Sequence, residues 1–578
     1  MTMYRLFKYL TITASIIIAS FELIAQPLPH RMTSAEKQAM PFYLQSRAAA
    51  SQGITTPPVN AVRTMAEWEE LQGILVAWTS YNSMLREIIR AGKQETRMYV
   101  VCNNATTVET YLAGYNIDTV NVTFLQVPFN SVWSRDYGPW SAYTNIGDTL
   151  ITVDWIYNRP RPMDDAVPTH IANAIGSPIY ETTVAPYDLV HTGGNFMTDG
   201  FGTGFSSNLI LNENTSKTEA QIDSIMHLFM GIDRYIKMGT LPYDVIHHID
   251  MHMKLLDEET ILMGEYPPGV ADGPQIEANL LYVINNFNST FGTPYKVERI
   301  PMPPDNGNYP GNNGRYFTYT NSAFINKTLI VPTYNIPEDT IALGIYEELL
   351  PGYNIVGINS LPSIGSLGAL HCINKEIGTS DPLLISHQPL SDTYDDANPY
   401  NISAYVKHRS SIAAAIIHWR TDTALPYAQI SMNLGFNPNL WFADIPPQPV
   451  GTTVYYYVEA ISISGKTQVR PMPAPAGYWE FDILGTVGLS DLPALEFQLA
   501  FPNPSKGITC IPLNIIKSDY INIGMYDITG RMVEEIFNGE VTRGERKFFV
   551  NTQNIPSGVY SIRITSGAGN WSQKLIVK

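Results

Sequence analysis

Thr328-Leu-Ile-Val-Pro332, Pro337-Glu-Asp-Thr-Ile-Ala-Leu-Gly-Ile-Tyr-Glu-Glu-Leu349 and Asn354-Ile-Val-Gly-Ile358 follow one another along the chain, and their reading decides the fold class. The first and third are short apolar runs rich in β-branched residues, the pattern of buried strands. Between them, Pro337 suits the opening of a helix, and Ile341, Ile345 and Leu349 recur at a spacing of four on one helical face. Strand, helix, strand in that order is the unit of a parallel sheet. The unit recurs upstream as Gly73-Ile-Leu-Val-Ala-Trp78, the helical stretch Met84 to Ala91, and Met98-Tyr-Val-Val-Cys102. Ser216-Lys-Thr-Glu219 reads as a capping box before a helix carrying Ile222, Ile225, Met226 and Phe229. One α/β domain over residues 61–380 is expected, with functional loops at its strand ends.

Outward from this core the texture changes twice. Runs such as Ser411-Ile-Ala-Ala-Ala-Ile-Ile-His-Trp419 and Thr453-Val-Tyr-Tyr-Tyr-Val-Glu459 alternate between turn-rich stretches, so residues 381–485 read as a β sandwich of immunoglobulin type. Residues 486–578 read as a linker and a second small β module. At the other end, Arg5 and Lys8 precede an apolar run from Leu10 to Ile18, and Leu23-Ile-Ala25 supplies small residues. Residues 1–25 therefore read as a secretory signal peptide, the run being shorter than a spanning helix needs. Residues 26–60 read as a prosegment or linker. No later stretch is long and apolar enough for a transmembrane helix. The formal charge of −17 argues against nucleic acid as a partner, because phosphate binding demands lysine and arginine.

Three cysteines, 102, 372 and 510, are too few for a disulfide framework and match no zinc pattern. Cys102 and Cys510 sit in apolar runs and read as core thiols. Cys372, in Leu367-Gly-Ala-Leu-His-Cys-Ile-Asn-Lys375, follows a glycine-containing loop and is the candidate nucleophile. Upstream, Trp133-Ser-Arg-Asp136 and His248-Ile-Asp250 supply two carboxylates and an imidazole. Alternation along an extended segment would place His248 and Asp250 on one face. Arg135 and Asp136 could form a structural ion pair. One thiol, one histidine and two acids suit attack on a cationic guanidinium carbon, and His248 near Cys372 would lower the thiol pKa. Ile156-Tyr-Asn-Arg-Pro-Arg-Pro162 holds Arg159 and Arg161, either a solvated turn or a clamp for a substrate carboxylate. His247, His248 and His252 lie close together but lack metal-ligand spacing, so no metal is expected.

The chain resembles the agmatine deiminase and bacterial, Porphyromonas-type peptidylarginine deiminase family. Glu67-Trp-Glu69, Trp133-Ser-Arg-Asp-Tyr-Gly-Pro-Trp140, His191-Thr-Gly-Gly-Asn195, Tyr319-Thr-Asn-Ser322 and Leu370-His-Cys-Ile373 match its motifs in order. The resemblance implies a five-bladed α/β propeller of the guanidino-group-modifying superfamily, followed here by two all-β sandwich domains. It implies Cys372 as nucleophile, Asp136 and Asp250 as guanidinium holders, and His248 as general acid and base. Asn321, with Asn313 as an alternative, would position the cysteine loop, and Trp133 with the two arginines would line the substrate site. Pro502-Asn-Pro504, Asp527-Ile-Thr-Gly530, Pro556-Ser-Gly-Val-Tyr560 and the terminal Lys578 resemble the C-terminal sorting domain of type IX secretion in Bacteroidota. The implied protein is a secreted or cell-surface hydrolase acting on amidine C–N bonds. It would convert arginine of peptides and proteins, C-terminal arginine by preference, to citrulline and ammonia through a covalent cysteine thiouronium. The type IX machinery would be its other partner. No cofactor is required, and structural calcium or sodium has room. Agmatine or free arginine as substrate, or a surface adhesin without catalysis, are the alternatives.

Overall fold

From Val62 to Gly378 the strands fall into separate small sheets that repeat one plan. The computed structural model describes residues 28–267, 269–305, 315–485, 495–497, 500–566 and 569–578. The expected signal peptide, 1–25, and Asn313 lie outside the described residues.

Each of the five sheets holds a parallel pair linked through a helix. The pairs are Leu71–Ala77 with Arg97–Val101, Leu150–Tyr157 with Ile179–Thr182, Thr203–Ser207 with Arg234–Met238, Thr260–Glu265 with Lys296–Pro301, and Thr328–Thr333 with Asn354–Asn359. A short third strand adds antiparallel to the first of each pair: Lys375–Gly378, Trp140–Thr144, Met197–Thr198, Met253–Leu255 and Ala323–Ile325 respectively. Just ahead of four of these short strands the chain makes a tight helical turn, at Ser134–Tyr137, Gly193–Asn195, Ile249–Met251 and His371–Ile373. Ahead of the fifth lies the fully buried stretch Thr318–Ser322. The plan therefore delivers a turn per sheet to the same end of the repeat.

The two ends of the α/β region meet in one sheet. Lys375, Glu376 and Ile377 pair antiparallel with Leu75, Ile74 and Gly73, so the last strand of the α/β region completes the first sheet. Two local readings need correction. The helix Glu338–Leu349 buries Ala342 and Tyr346, while Ile341 is 55% exposed. Tyr346 sets this face because its hydroxyl meets the Ser322 hydroxyl at 2.9 Å and donates to the Tyr319 carbonyl at 2.9 Å. The helix Glu219–Met230 is capped by Thr218 and Gln221, not by Ser216. Thr218 has the extended backbone an N-cap needs, and its side chain accepts from the Gln221 N–H.

Residues read as a prosegment or linker hold a docked element. An extended strap, Leu28–Thr33, runs into the helix Ser34–Ala50, which opens with a complete Thr33/Glu36 capping box. Tyr43 packs with Ile156 and Val190, and the buried Arg47 pairs with Asp154 at 3.0 Å and with Asp165. Beyond Gly378, one sheet (Leu384–Ser386, Tyr400–Lys407, Leu440–Ile445, Asn433–Leu434) shares a core with a second built on Ile412–Arg420 and Thr453–Ser462. Two further sheets, centred on Ile508–Ile515 and on Asp519–Tyr526, enclose a separate core of Ile511, Leu513, Ile523, Ile562 and Leu575. Cys102 and Cys510 are buried, as read from their apolar surroundings.

Arg47→Met should destabilise the protein by about 3–5 kcal/mol in urea unfolding, because it leaves Asp154 and Asp165 buried without their cation. A change below about 1 kcal/mol would mean that these carboxylates are compensated elsewhere.

Candidate active site

The turns that precede the short strands bring Asp136, His248, Asp250, Asn321 and Cys372 together. Cys372, His248, Asn321 and Trp133 are 0% exposed, and Asp136 and Asp250 only 1%. Asn321 donates from Nδ2 to Cys372 Sγ at 3.3 Å, and its Oδ1 accepts from the His371 N–H at 3.0 Å. Asn321 thus holds both the sulfur and the backbone of the cysteine turn. Sγ also approaches Asp250 Oδ2 at 3.8 Å. That same oxygen meets His371 Nδ1 at 2.7 Å, and His371 Nε2 meets Glu67 Oε2 at 3.1 Å. Glu67 in turn pairs with Lys254 at 2.9 Å. Asp250 is therefore fixed from behind by an alternating chain of acid and base.

On the facing side, Asp136 sits in the turn Ser134–Tyr137, but Arg135 does not pair with it. Arg135 pairs with Glu376 at 2.5 Å and donates from Nε to the His371 carbonyl at 3.2 Å, tying one turn to the next. Asp136 Oδ1 lies 3.5 Å from His248 Nδ1, and its Oδ2 meets His30 Nε2 at 2.6 Å. Burial alone would raise the Asp136 carboxyl, yet His30, His248 and Arg159 outweigh it and hold it well below the usual carboxylate range. Asp136 Oδ1 and Asp250 Oδ1 accept no hydrogen bond among the described residues. Two acids with spare acceptor oxygens near a sulfur suit a planar cation rich in N–H donors.

Close packing makes this possible. A Cβ on Gly194 would stand 2.4 Å from His248 Nδ1 and 3.2 Å from Asp136 Oδ1, and one on Gly193 only 2.0 Å from the Arg135 carbonyl oxygen. The glycine pair is what lets the second turn reach the centre. His248 itself has extended backbone, while Asp250 lies in the short turn Ile249–Met251, so strand alternation does not place them. The turn brings both inward by another route.

The thiol behaves differently from the sequence expectation. Burial, then the negative charges of Asp250 and Asp136, push Cys372 well above its ordinary range. Burial pulls His248 down to about 4, against the opposing pull of Asp136. The resting pair is a neutral thiol and a neutral imidazole, and His248 does not lower the thiol pKa in this state.

Arg159 and Arg161 are buried rather than solvated, at 5% and 2% exposure. The leader strap engages them both. Arg159 Nε donates to the His30 carbonyl at 3.0 Å, Arg161 Nη2 to the Pro29 carbonyl at 2.7 Å, and Arg161 Nε to Glu36 Oε1 at 2.7 Å. Trp133 donates from Nε1 to the Leu28 carbonyl at 2.9 Å and stacks on the His30 ring at 4.2 Å. Behind the arginines, Asn158 donates to Glu213, whose carboxyl burial pushes up to about 7. His30, Asp136 and His248 present ligand atoms within 4.8 Å of one another, a nitrogen and oxygen set that suits a divalent cation. One of the three belongs to the leader, and the short His30–Asp136 bond already satisfies it. The sequence reading missed His30, Glu36 and Glu213. His371 and Glu67 stood inside quoted motifs, and their adjacency to Cys372 and Trp68 was the available signal.

A family model described as Porphyromonas-type peptidyl-arginine deiminase matches residues 63–377, and one described as a secretion system C-terminal sorting domain matches residues 499–578. That sorting domain marks the chain as secreted or attached at the cell surface. No helix among the described residues is long and apolar enough to cross a membrane. The chain is 23% identical over 364 residues to a Vibrio parahaemolyticus protein called "Putative agmatine deiminase", covering 56% of this chain and 98% of that one. A Legionella pneumophila (strain Paris) protein of the same description is 24% identical over 269 residues, covering 44% of this chain and 75% of that one. Among solved structures, the agmatine deiminase of Enterococcus faecalis is 19% identical, with 57% of this chain and 100% of that one covered and a TM-score of 0.49. Another, described as "putative agmatine deiminase", is 18% identical, with 56% and 99% covered and a TM-score of 0.51, a likeness of fold.

In a chain whose cleft is freed by His30→Ala and Glu36→Ala, Gly194→Ala should lower ammonia release from guanidine substrates about 100-fold, by displacing His248 from Asp136. An unchanged rate, with the melting temperature also unchanged, would show that the close approach is not needed.

Proposed function

The chain belongs to the Porphyromonas-type peptidyl-arginine deiminase family, whose members hydrolyse guanidino C–N bonds, and from that premise we propose that it citrullinates arginine at the C-terminus of peptides and proteins. The observation that carries the substrate reading is the contact between Arg161 and a carboxylate. Arg161 already holds the Glu36 carboxylate at 2.7 Å, and Arg159 lies beside it. A substrate with a free α-carboxylate can take that place, and agmatine, which has none, cannot. Buried guanidinium groups gain little from a neutral ligand but much from a carboxylate.

The chemistry follows from the charges. A substrate guanidinium between Asp136 and Asp250 would offset the two negative charges that hold the Cys372 proton in place. The proton then passes from Sγ to His248 as sulfur bonds to the guanidinium carbon. His248 gives it to a terminal nitrogen, the C–N bond breaks, and ammonia leaves. The product is a cationic S-alkylthiouronium. Water attacks that carbon while His248 takes its proton, the C–S bond breaks, and citrulline and the thiol are released. Asn321 fixes the sulfur throughout, and no cofactor or metal enters a step. We read the five repeated sheets as the blades of an α/β propeller, and the paired sheets between Leu384 and Ile483 as an immunoglobulin-like sandwich. The repeat of a helix-linked parallel pair with an antiparallel inner strand supports the first reading, and the core shared by two antiparallel sheets supports the second.

The test uses chain in which His30→Ala and Glu36→Ala free the cleft, with three substrates: a peptide ending in arginine, the same peptide with that arginine internal, and agmatine. Citrulline or the matching ureido product should form from the first, and Cys372→Ala should abolish it. Arg161→Ala should raise KM for that peptide about 10- to 100-fold, the weight of a lost hydrogen bond between charged groups. Turnover of agmatine alone would move the protein to small-molecule deimination. Silence on all three would remove the enzymatic reading and leave the adhesin.

A further inference from the structure

The leader strap touches Trp133, Asp136, Arg159 and Arg161, four of the groups assigned to substrate binding. His30 lays its ring on Trp133 at 4.2 Å and directs Nε2 to Asp136 at 2.6 Å, where a guanidinium N–H would go. Its Nδ1 meets the Leu367 carbonyl of the cysteine loop at 2.7 Å. The carbonyls of Leu28, Pro29 and His30 accept from Trp133, Arg161 and Arg159, and the Glu36 carboxylate completes Arg161. An imidazole on an acid, next to a carboxylate on an arginine, fills the two places that the guanidinium and the carboxylate of an arginine terminus would take. A Cβ on Gly368 would stand 3.2 Å from both His30 Nδ1 and Cys372 Cβ, so the leader ring is within a few ångströms of the nucleophile's side chain. With the strap in place His30 is itself 0% exposed, and so is Cys372.

We propose that residues Leu28–Glu36 are an internal substrate mimic that keeps the enzyme latent, and that the enzyme gains activity when the strap leaves the cleft. The inference rests on the deiminase reading of this site. The two halves of the leader are held by different means. The strap is held by hydrogen bonds and by the stacking of His30 on Trp133, whereas the helix Ser34–Ala50 is anchored independently through Arg47 to Asp154 and Asp165. Arg31, exposed between them, is where the chain is open to a protease that cuts after arginine. Such a cut frees the segment up to Arg31, with the His30 ring and the three carbonyls, by peptide-bond hydrolysis, while Glu36 stays on the anchored helix and Asp154 and Asp165 stay paired with Arg47.

The test compares the mature chain with its leader intact, the single variants His30→Ala and Glu36→Ala, and the double variant. Alkylation of Cys372 by iodoacetamide is followed by mass spectrometry, with the buried Cys102 and Cys510 as internal controls for folding. Alkylation of Cys372 should rise at least about tenfold in the double variant while Cys102 and Cys510 stay protected, since the double variant removes two of the hydrogen bonds to charged groups that hold the strap shut. Citrulline formation from a peptide ending in arginine should rise in parallel. A synthetic peptide spanning Leu28–Gln38 should then inhibit the double variant in competition with substrate. Equal alkylation and equal turnover in all four proteins would overturn latency while leaving the deiminase reading intact. A rise in alkylation with no turnover in any protein would uphold the strap as a cover and remove the deiminase reading. A general rise at all three cysteines would mean unfolding, and the trans peptide then decides: no inhibition of any active form overturns the proposal.

Discussion

Keeping the Asp136 and Asp250 carboxyl groups partnered while they are shut away from water is the constraint to which the rest of the α/β region answers. A carboxylate out of contact with water is costly unless it is paired and hydrogen-bonded. The pairing is supplied in layers. Asp250 is backed by His371, Glu67 and Lys254, and Asp136 is flanked by His248 and His30. Beneath them Arg135 and Lys375 share Glu376. These pairs cross from one turn to another, so the charges also fix the turns relative to one another. Each layer leaves one carboxylate oxygen of Asp136 and of Asp250 facing inward without a donor. The centre is thus prepared for a cation, and its pairs are not mere insulation.

Much of this was legible in the chain. The strand and helix units announced themselves through apolar runs and spacing, because burial on both faces leaves little choice of side chain. Asp136, His248, Asp250, Asn321 and Cys372 stood in motifs, and the structure gathers them at one centre. What was not legible depended on distance. Nothing local to Leu28–Glu36 distinguishes a strap in a cleft from a linker, since its partners lie from one hundred to several hundred residues away. The state of the thiol was hidden for the same reason. A neighbouring histidine suggests a lowered pKa, but the sum of burial and two acids is a property of the assembled site. The helix Glu338–Leu349 shows a smaller case: its spacing fits Ile341, Ile345 and Leu349, yet the reach of the Tyr346 hydroxyl to Ser322 and Tyr319 turns a different face inward.

Arg159 and Arg161 connect fold to selectivity. They stand at the end of the strand Leu150–Tyr157, where the chain leaves the sheet, and the proline between them limits how the backbone can turn. Two like charges so close, both buried, are tolerated because oxygen acceptors surround them: carbonyls of the strap, the Asn158 carbonyl and the Glu36 carboxylate. When the strap is gone those acceptors must come from something else.

The pairing of Lys375–Gly378 with Leu71–Ala77 has a temporal meaning. Lys375 and Leu75 are register partners across almost the whole α/β region, so the Leu71–Ala77 side of the first sheet stays an open edge until its last strand has arrived. Contacts so remote along the chain are slow to form, because a long loop must close before any reward is gained. The cysteine turn immediately precedes that strand. Cys372 is therefore among the last parts of the chain to reach its place, and a partly made molecule holds Asp136, His248 and Asp250 without its sulfur.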